Sequence, residues 1–355
     1  MKLSVGIVGL PNVGKSTLFQ TITKKSVDIA NYPFCTIEPN VGVVSVPDSR
    51  LGILTEFSKS AKTISAVVEF YDIAGLVKGA HDGEGLGNQF LSHIRETNAI
   101  IYVLRAFKNS NIINNQEVVD PLGAKEILDT ELMLKDLDTV NKRMSSLERE
   151  KKSGSKEAII EYEVFIKLKP GLESGKQIRD LDLNEDEKKL IKQYQFLTDK
   201  PCLYLLNGRD EEVDPAVIQY FLDHKLNYVI IDVKTEFDVA DLSLEDRELM
   251  GITSKPELDQ LIQESYKLLN LISFFTTGTD ETRAWTIEKG TKAPQAAGAI
   301  HGDFERCFIK ADVINWEKLL EAGSYEKARS LGWIRSEGKE YVFCDGDVVE
   351  IKHGQ

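Results

Sequence analysis

Apolar residues gather in short dense runs along the first part of the chain. Val5, Ile7 and Val8 form one that breaks at Gly9-Leu10-Pro11-Asn12-Val13-Gly14-Lys15-Ser16-Thr17 and resumes as Leu18-Phe19, which predicts strand, loop and helix in succession. Runs of buried-strand type recur at 41–46, 67–71, 100–104, 202–206 and 228–233. Helical stretches lie between and after them, at 88–99 and at 258–268, where Leu258, Leu261, Ile262 and Leu268 mark one apolar face. Strands alternating with helices make an α/β domain.

Two departures from that alternation divide the chain. From Pro121 a long helical run carries Met133, Leu137, Val140, Met144 and Leu147 at alternating spacings of four and three, a seam for pairing two helices. Lys152-Ser153-Gly154-Ser155 supplies the hairpin turn, and Ile159, Tyr162 and Ile166 offer the returning stripe. The expectation is an antiparallel coiled coil inserted at 122–198 into a domain spanning 1–275. From Ile272 the pattern shifts to short strands around Phe274-Phe275-Thr276 and Arg283-Ala284-Trp285-Thr286-Ile287, a small-residue helix through Ala296-Ala297-Gly298, and two strands around Asp345-Gly346. That predicts a separate α+β module over 276–355. It shows no nucleophile, base and orienter at readable spacing, so it is expected to bind rather than catalyse.

Composition narrows the class. With 355 residues the chain can fold two or three cores, and 42 % hydrophobic with 28 % charged residues is a globular balance with no run long enough to cross a bilayer. Met1 to Ser4 enter a strand without a secretory pattern, so a cytoplasmic protein is expected. Cys35, Cys202, Cys307 and Cys344 stand singly, as reduced packing residues do. A net charge of −13 argues against broad affinity for DNA or other nucleic acid, although a local basic surface stays open.

The loop at Gly9 to Thr17 carries the most specific chemistry. Its Gly-x-x-x-x-Gly-Lys-Ser spacing lets successive N–H groups from Asn12, Val13, Gly14, Lys15, Ser16 and Thr17 converge where a helix N-terminus also points, which suits a polyphosphate. Lys15 brings positive charge to the outer phosphates and Ser16 a hydroxyl for magnesium. Asp72 closes a buried strand and is followed by Gly75, placing a carboxylate for the magnesium and an N–H for the terminal phosphate. Thr36, between Pro33 and Pro39, is the candidate loop threonine that orders over metal and phosphate. Leu76 stands where a signalling GTPase has the glutamine that orients water. The glycine-dense stretch 79–87, with His81 and Glu84, is a second switch candidate. Asn207-Gly208-Arg209-Asp210 matches the guanine-reading Asn-Lys-x-Asp except that Gly208 replaces lysine, which leaves base choice open.

Together these segments resemble the YchF-type Obg-like ATPases of the translation-factor class of P-loop proteins, over nearly the whole length. The resemblance is carried by 9–17, by Pro33-Phe34-Cys35-Thr36-Ile37-Glu38-Pro39-Asn40, by Asp72-Ile73-Ala74-Gly75-Leu76-Val77-Lys78-Gly79-Ala80, by Tyr266-Lys267-Leu268-Leu269-Asn270-Leu271, and by Arg283-Ala284-Trp285-Thr286 with Ala293-Pro294-Gln295-Ala296-Ala297-Gly298. It implies a Ras-like P-loop NTPase domain, a C-terminal β-grasp (TGS) domain, ATP preferred over GTP, Mg2+, and association with the ribosome and its RNA. It also implies that Asn12 holds K+ as an activator, a cation doing the work of an arginine finger. Asp210 departs from the family's Asn-x-x-Glu, and Asn114 follows Asn111-Ile112-Ile113 where the family often has histidine. A GTPase of the same fold and a slow-turnover, nucleotide-switched ribosome or RNA adaptor are the alternatives.

Overall fold

The computed structural model describes residues 4–24, 40–72, 94–107, 119–250, 252 and 257–354. Its first sheet contains β1 (Ser4–Val8), β2 (Val41–Ser45), β4 (Val67–Asp72), β5 (Ala99–Arg105), β6 (Cys202–Asn207) and β7 (Tyr228–Ile231) in the order β2-β4-β1-β5-β6-β7. Every neighbouring pair is parallel except β2 and β4. β1 and the core of β5 are buried throughout, as expected of central strands covered on both faces. The helices that cover this sheet include α1 (Lys15–Lys24), α5 (Pro215–Asp223), α6 (Val233–Asp238) and α7 (Glu257–Leu268), while α2 (Ser49–Ser58) packs against strands of the second sheet.

Between β5 and β6 the chain leaves as α3 (Pro121–Lys152) and returns as α4 (Lys156–Glu173). Pro121 at the first turn, with the Asp120 carboxylate accepting from Gly123 N–H, starts α3, and Ser155 caps α4 through Ala158 N–H. The seam on α3 falls at the expected residues. Val140 and Leu147 are fully buried, with Met133, Leu137 and Met144 packed beside them. The stripe on α4 differs. Tyr162 packs against the arm's core as expected, but Ile159 and Ile166 face solvent, and Ala158, Glu161, Phe165, Leu168 and Leu172 are the buried residues instead. Both stripes have helical spacing; the one that wins brings Glu161 to Arg143 of α3 and leaves Phe165 for Phe196 and Tyr194. Those two aromatics belong to the returning segment, whose Ile178, Leu183 and Ile191 also close over the arm. The insertion is thus a small packed bundle rather than two bare helices.

The second sheet contains β3 (Lys62–Ile64), β8 (Leu271–Thr277), β9 (Glu281–Glu288), β10 (Phe308–Asn315), β11 (Arg335–Glu337) and β12 (Asp347–His353), ordered β11-β10-β12-β8-β9-β3. It begins at Leu271, a few residues before the expected boundary at 276, because the whole of β8 pairs with β9. Its edge strand β3 comes from the N-terminal part of the chain and pairs in parallel with β9. Asp345-Gly346 does turn, with Gly346 at φ 86°, but not between two paired strands. β12 pairs with β10 and β8, and the preceding stretch forms no strand of its own but an isolated bridge between Val342 and Lys292, with Gly346 N–H donating to Ser273 O of β8. Among the described residues Cys202, Cys307 and Cys344 are free thiols; Cys35 lies outside them. No described helix is long and apolar enough to cross a membrane.

Candidate functional site

The site grows from the C-terminal ends of β1, β4, β6 and β7, where the turn after β1 runs into α1. Asn12 adopts φ 61° and Gly14 φ 99°, left-handed conformations that curl the loop. Gly14 is also confined: a Cβ there would stand 2.3 Å from Asn207 Nδ2. That amide is the clasp of the site. Asn207 Nδ2 donates to Val13 carbonyl O at 2.8 Å, and its Oδ1 accepts from Val233 N–H at 3.2 Å, so one buried side chain ties the loop to the segment after β7. Gly208 packs tightly too, since a Cβ would lie 2.9 Å from Phe107 N.

Lys15 opens α1, and the first bond into the helix is Leu18 N–H to Gly14 O at 2.9 Å. The N–H groups of Lys15, Ser16 and Thr17 therefore have no intrahelical acceptor. They border a cavity of about 780 Å³ whose wall includes Asn12, Gly14, Ser16 and Thr17, large enough for a nucleotide. Lys15 Nζ donates to Leu10 O at 2.7 Å; burial lowers its pKa, against the pull of Asp72. Asp72 shows the converse. Burial raises its carboxyl above the ordinary range, Lys15 works against that, and Oδ1 is buried with no hydrogen-bond partner among the described residues.

A carboxylate oxygen without a partner among the described residues, within electrostatic reach of Lys15, fits a hard divalent cation such as Mg2+. Among the described residues no three His, Cys, Asp or Glu cluster as a metal cage. Magnesium in phosphate sites suits this poverty of protein ligands, because phosphates and water complete its shell. Thr36 and Gly75, the other two residues expected at metal and phosphate, lie outside the described residues, as do Leu76, His81, Glu84 and Asn114.

At the far end of the cavity stand Phe107, Arg209, Glu212, Asp232, Lys234 and Asp238. Asp210, expected to read the base, is exposed and starts a short 3-10 turn, Asp210–Glu212, whose last residue Glu212 lines the cavity wall. Glu212 Oε2 accepts from Arg209 N–H at 3.1 Å. Asp232 accepts from Thr235 N–H, Thr235 Oγ1 and Arg209 Nε, contacts that outweigh its burial and lower its pKa. Glu212, Arg209 and Asp232 were not signalled by motif spacing; what the sequence offers is their position just past two strand ends, where open α/β sheets bind ligands.

The family model described as "50S ribosome-binding GTPase" matches residues 4–161, and the YchF GTPase C-terminal model, described as a protein of unknown function (DUF933), matches 271–354. The "Ribosome-binding ATPase YchF" of Bacillus subtilis (strain 168) is 47 % identical over 364 residues, covering 99 % of each chain. This chain belongs to the YchF family. The protein of the same name from Escherichia coli O157:H7 is 46 % identical over 360 residues with 99 % coverage of both, and the "Obg-like ATPase 1" of Oryza sativa subsp. japonica is 40 % identical over 362 residues, covering 99 % of this chain and 92 % of the relative. The solved structure of the Schizosaccharomyces pombe YchF GTPase superposes with a TM-score of 0.88 at 37 % identity, covering 99 % of this chain and 98 % of that one. YchF membership accounts for the P-loop domain with its helical arm and for a C-terminal domain that begins at Leu271.

Proposed function

We propose that this YchF-family chain is a magnesium-dependent P-loop triphosphatase that prefers ATP to GTP and acts in the cytoplasm as a nucleotide-dependent, ribosome-associated regulatory factor. The observation that carries the chemistry is the N–H-lined cavity with Lys15 in its wall, together with an Asp72 carboxylate that Lys15 influences electrostatically and whose buried Oδ1 has no hydrogen-bond partner among the described residues. Ser16 and Asp72, with Thr36, would hold Mg2+, which when bound neutralises charge on the outer phosphates. Lys15 exchanges its bond to Leu10 O for a phosphate oxygen, and the loop N–H groups from Asn12 to Thr17 fix the phosphates in place. Gly75 N–H serves the terminal phosphate. Asn12 is the residue to hold a K+ activator, consistent with a position exposed at the cavity wall.

Ribosome association is supported by the names of the bacterial relatives and by the description of the family model over 4–161. The helical arm and the C-terminal domain are the surfaces available to report nucleotide state to so large a partner. Phosphate release from Mg·ATP tests the enzyme: it is expected to rise with potassium and to vanish in Lys15→Ala. Equal background release from both proteins would instead favour an adaptor that binds nucleotide without turning it over.

A further inference from the structure

We propose that Glu212 is the base-reading carboxylate of this chain, accepting a hydrogen bond from the exocyclic amino group of adenine, in place of Asp210. It rests on the nucleotide occupying the cavity with its phosphates on the Lys15 loop, which sends the base to the opposite end of the wall. There the carboxylates differ in what they have left to give. Both Asp232 oxygens are engaged, Oδ1 by Thr235 N–H and Oδ2 by Thr235 Oγ1 and Arg209 Nε. Asp238 is exposed and pairs with Lys234 at 2.7 Å. Glu212 is half-buried, and only its Oε2 is used, by Arg209 N–H at 3.1 Å. Its Oε1 has no hydrogen-bond partner among the described residues.

One open acceptor oxygen suits one amino donor. Guanine, read by a carboxylate, presents two adjacent donors and needs both oxygens, and its O6 would face negative charge. Glu212 lines the cavity at the end of the turn that Asp210 begins, while Asp210, the residue matching the guanine motif by spacing, is exposed and is not among the wall residues.

Calorimetric titration of wild type, Glu212→Gln and Asp210→Asn with Mg·ATP, Mg·GTP and the magnesium complex of purine riboside triphosphate, which lacks the amino group, tests this. The Gln carbonyl keeps the acceptor for Arg209 N–H and turns an amide donor to the cavity, so the fold is retained, checked by an unchanged melting temperature. The ATP-to-GTP affinity ratio should fall at least tenfold in Glu212→Gln and change less than about twofold in Asp210→Asn. Loss of the amino group should weaken binding to wild type but not to Glu212→Gln. An unchanged ratio in folded Glu212→Gln, or a tenfold change in Asp210→Asn, would overturn the assignment. A wild-type preference for GTP would overturn the ATP reading by itself; the assignment of Glu212 is judged on the change of ratio between variants.

Discussion

Asp72 carries a cost that the proposed magnesium site explains. Burial holds its proton to higher pH in the folded protein than in the unfolded chain, so stability falls as pH rises from about 4 through the raised pKa. Once ionised, the buried carboxylate is a net burden that Lys15 relieves only in part. Asp72→Asn should therefore melt at a higher temperature than wild type at neutral pH, with the gap closing below about pH 4, while losing magnesium-dependent phosphate release. A lower melting temperature at pH 7 would mean that the carboxylate is already satisfied without metal. Lys15, Ser16 and Asp72 were all legible in the sequence, because their spacing relative to glycines is local. The clasp made by Asn207 was not: the motif marks this residue of the cavity wall, and only the fold reveals that its amide also bonds Val13 and Val233. For Asp210, motif spacing does not record that the residue is exposed and opens a 3-10 turn.

Among the elements, a buried carboxylate ties α3 to the returning segment of the insertion. Asp136 of α3 is fully buried and accepts from Leu197 N–H, Thr198 N–H and Thr198 Oγ1; burial raises its pKa despite those bonds. Beside it Arg95 Nη2 donates to Thr139 Oγ1 at 2.5 Å, and Lys200, its pKa lowered to about 8 by burial, donates to Arg95 O and Thr97 O. Asp136→Ala would leave two buried N–H groups without acceptors, at about 1–3 kcal/mol each. A loss of about 2–4 kcal/mol in urea unfolding is expected, and a loss under about 0.5 kcal/mol would show that the anchor lies elsewhere. The heptad-like spacing of α3 revealed the arm, but α4 carries two apolar stripes of the same period. Choosing between them required the returning segment 178–199, whose packing no local pattern encodes.

At the scale of the whole molecule the two sheets share one core. Leu51 and Leu54 of α2 lie in the same cluster as Phe275, Ala284, Ile314 and Val348 of the C-terminal sheet. Arg50 spans the boundary, bonded to Asp48 and to Asp345 at 2.6 Å; burial opposes its charge, yet these carboxylates hold its pKa above the ordinary value. The strand β3 crosses over for the same union, a pairing between residues 62–64 and 281–283 too distant in sequence to be anticipated from pattern. Nucleotide binding thus takes place on a unit whose C-terminal domain is built in, and the identity of that nucleotide decides what the unit senses. Titration of Mg·ATP and Mg·GTP into nucleotide-free protein measures it directly. ATP should bind at least tenfold more tightly, about 1.4 kcal/mol, with both affinities collapsing in Lys15→Ala; GTP binding tenfold tighter, or binding indifferent to Lys15, would contradict the account.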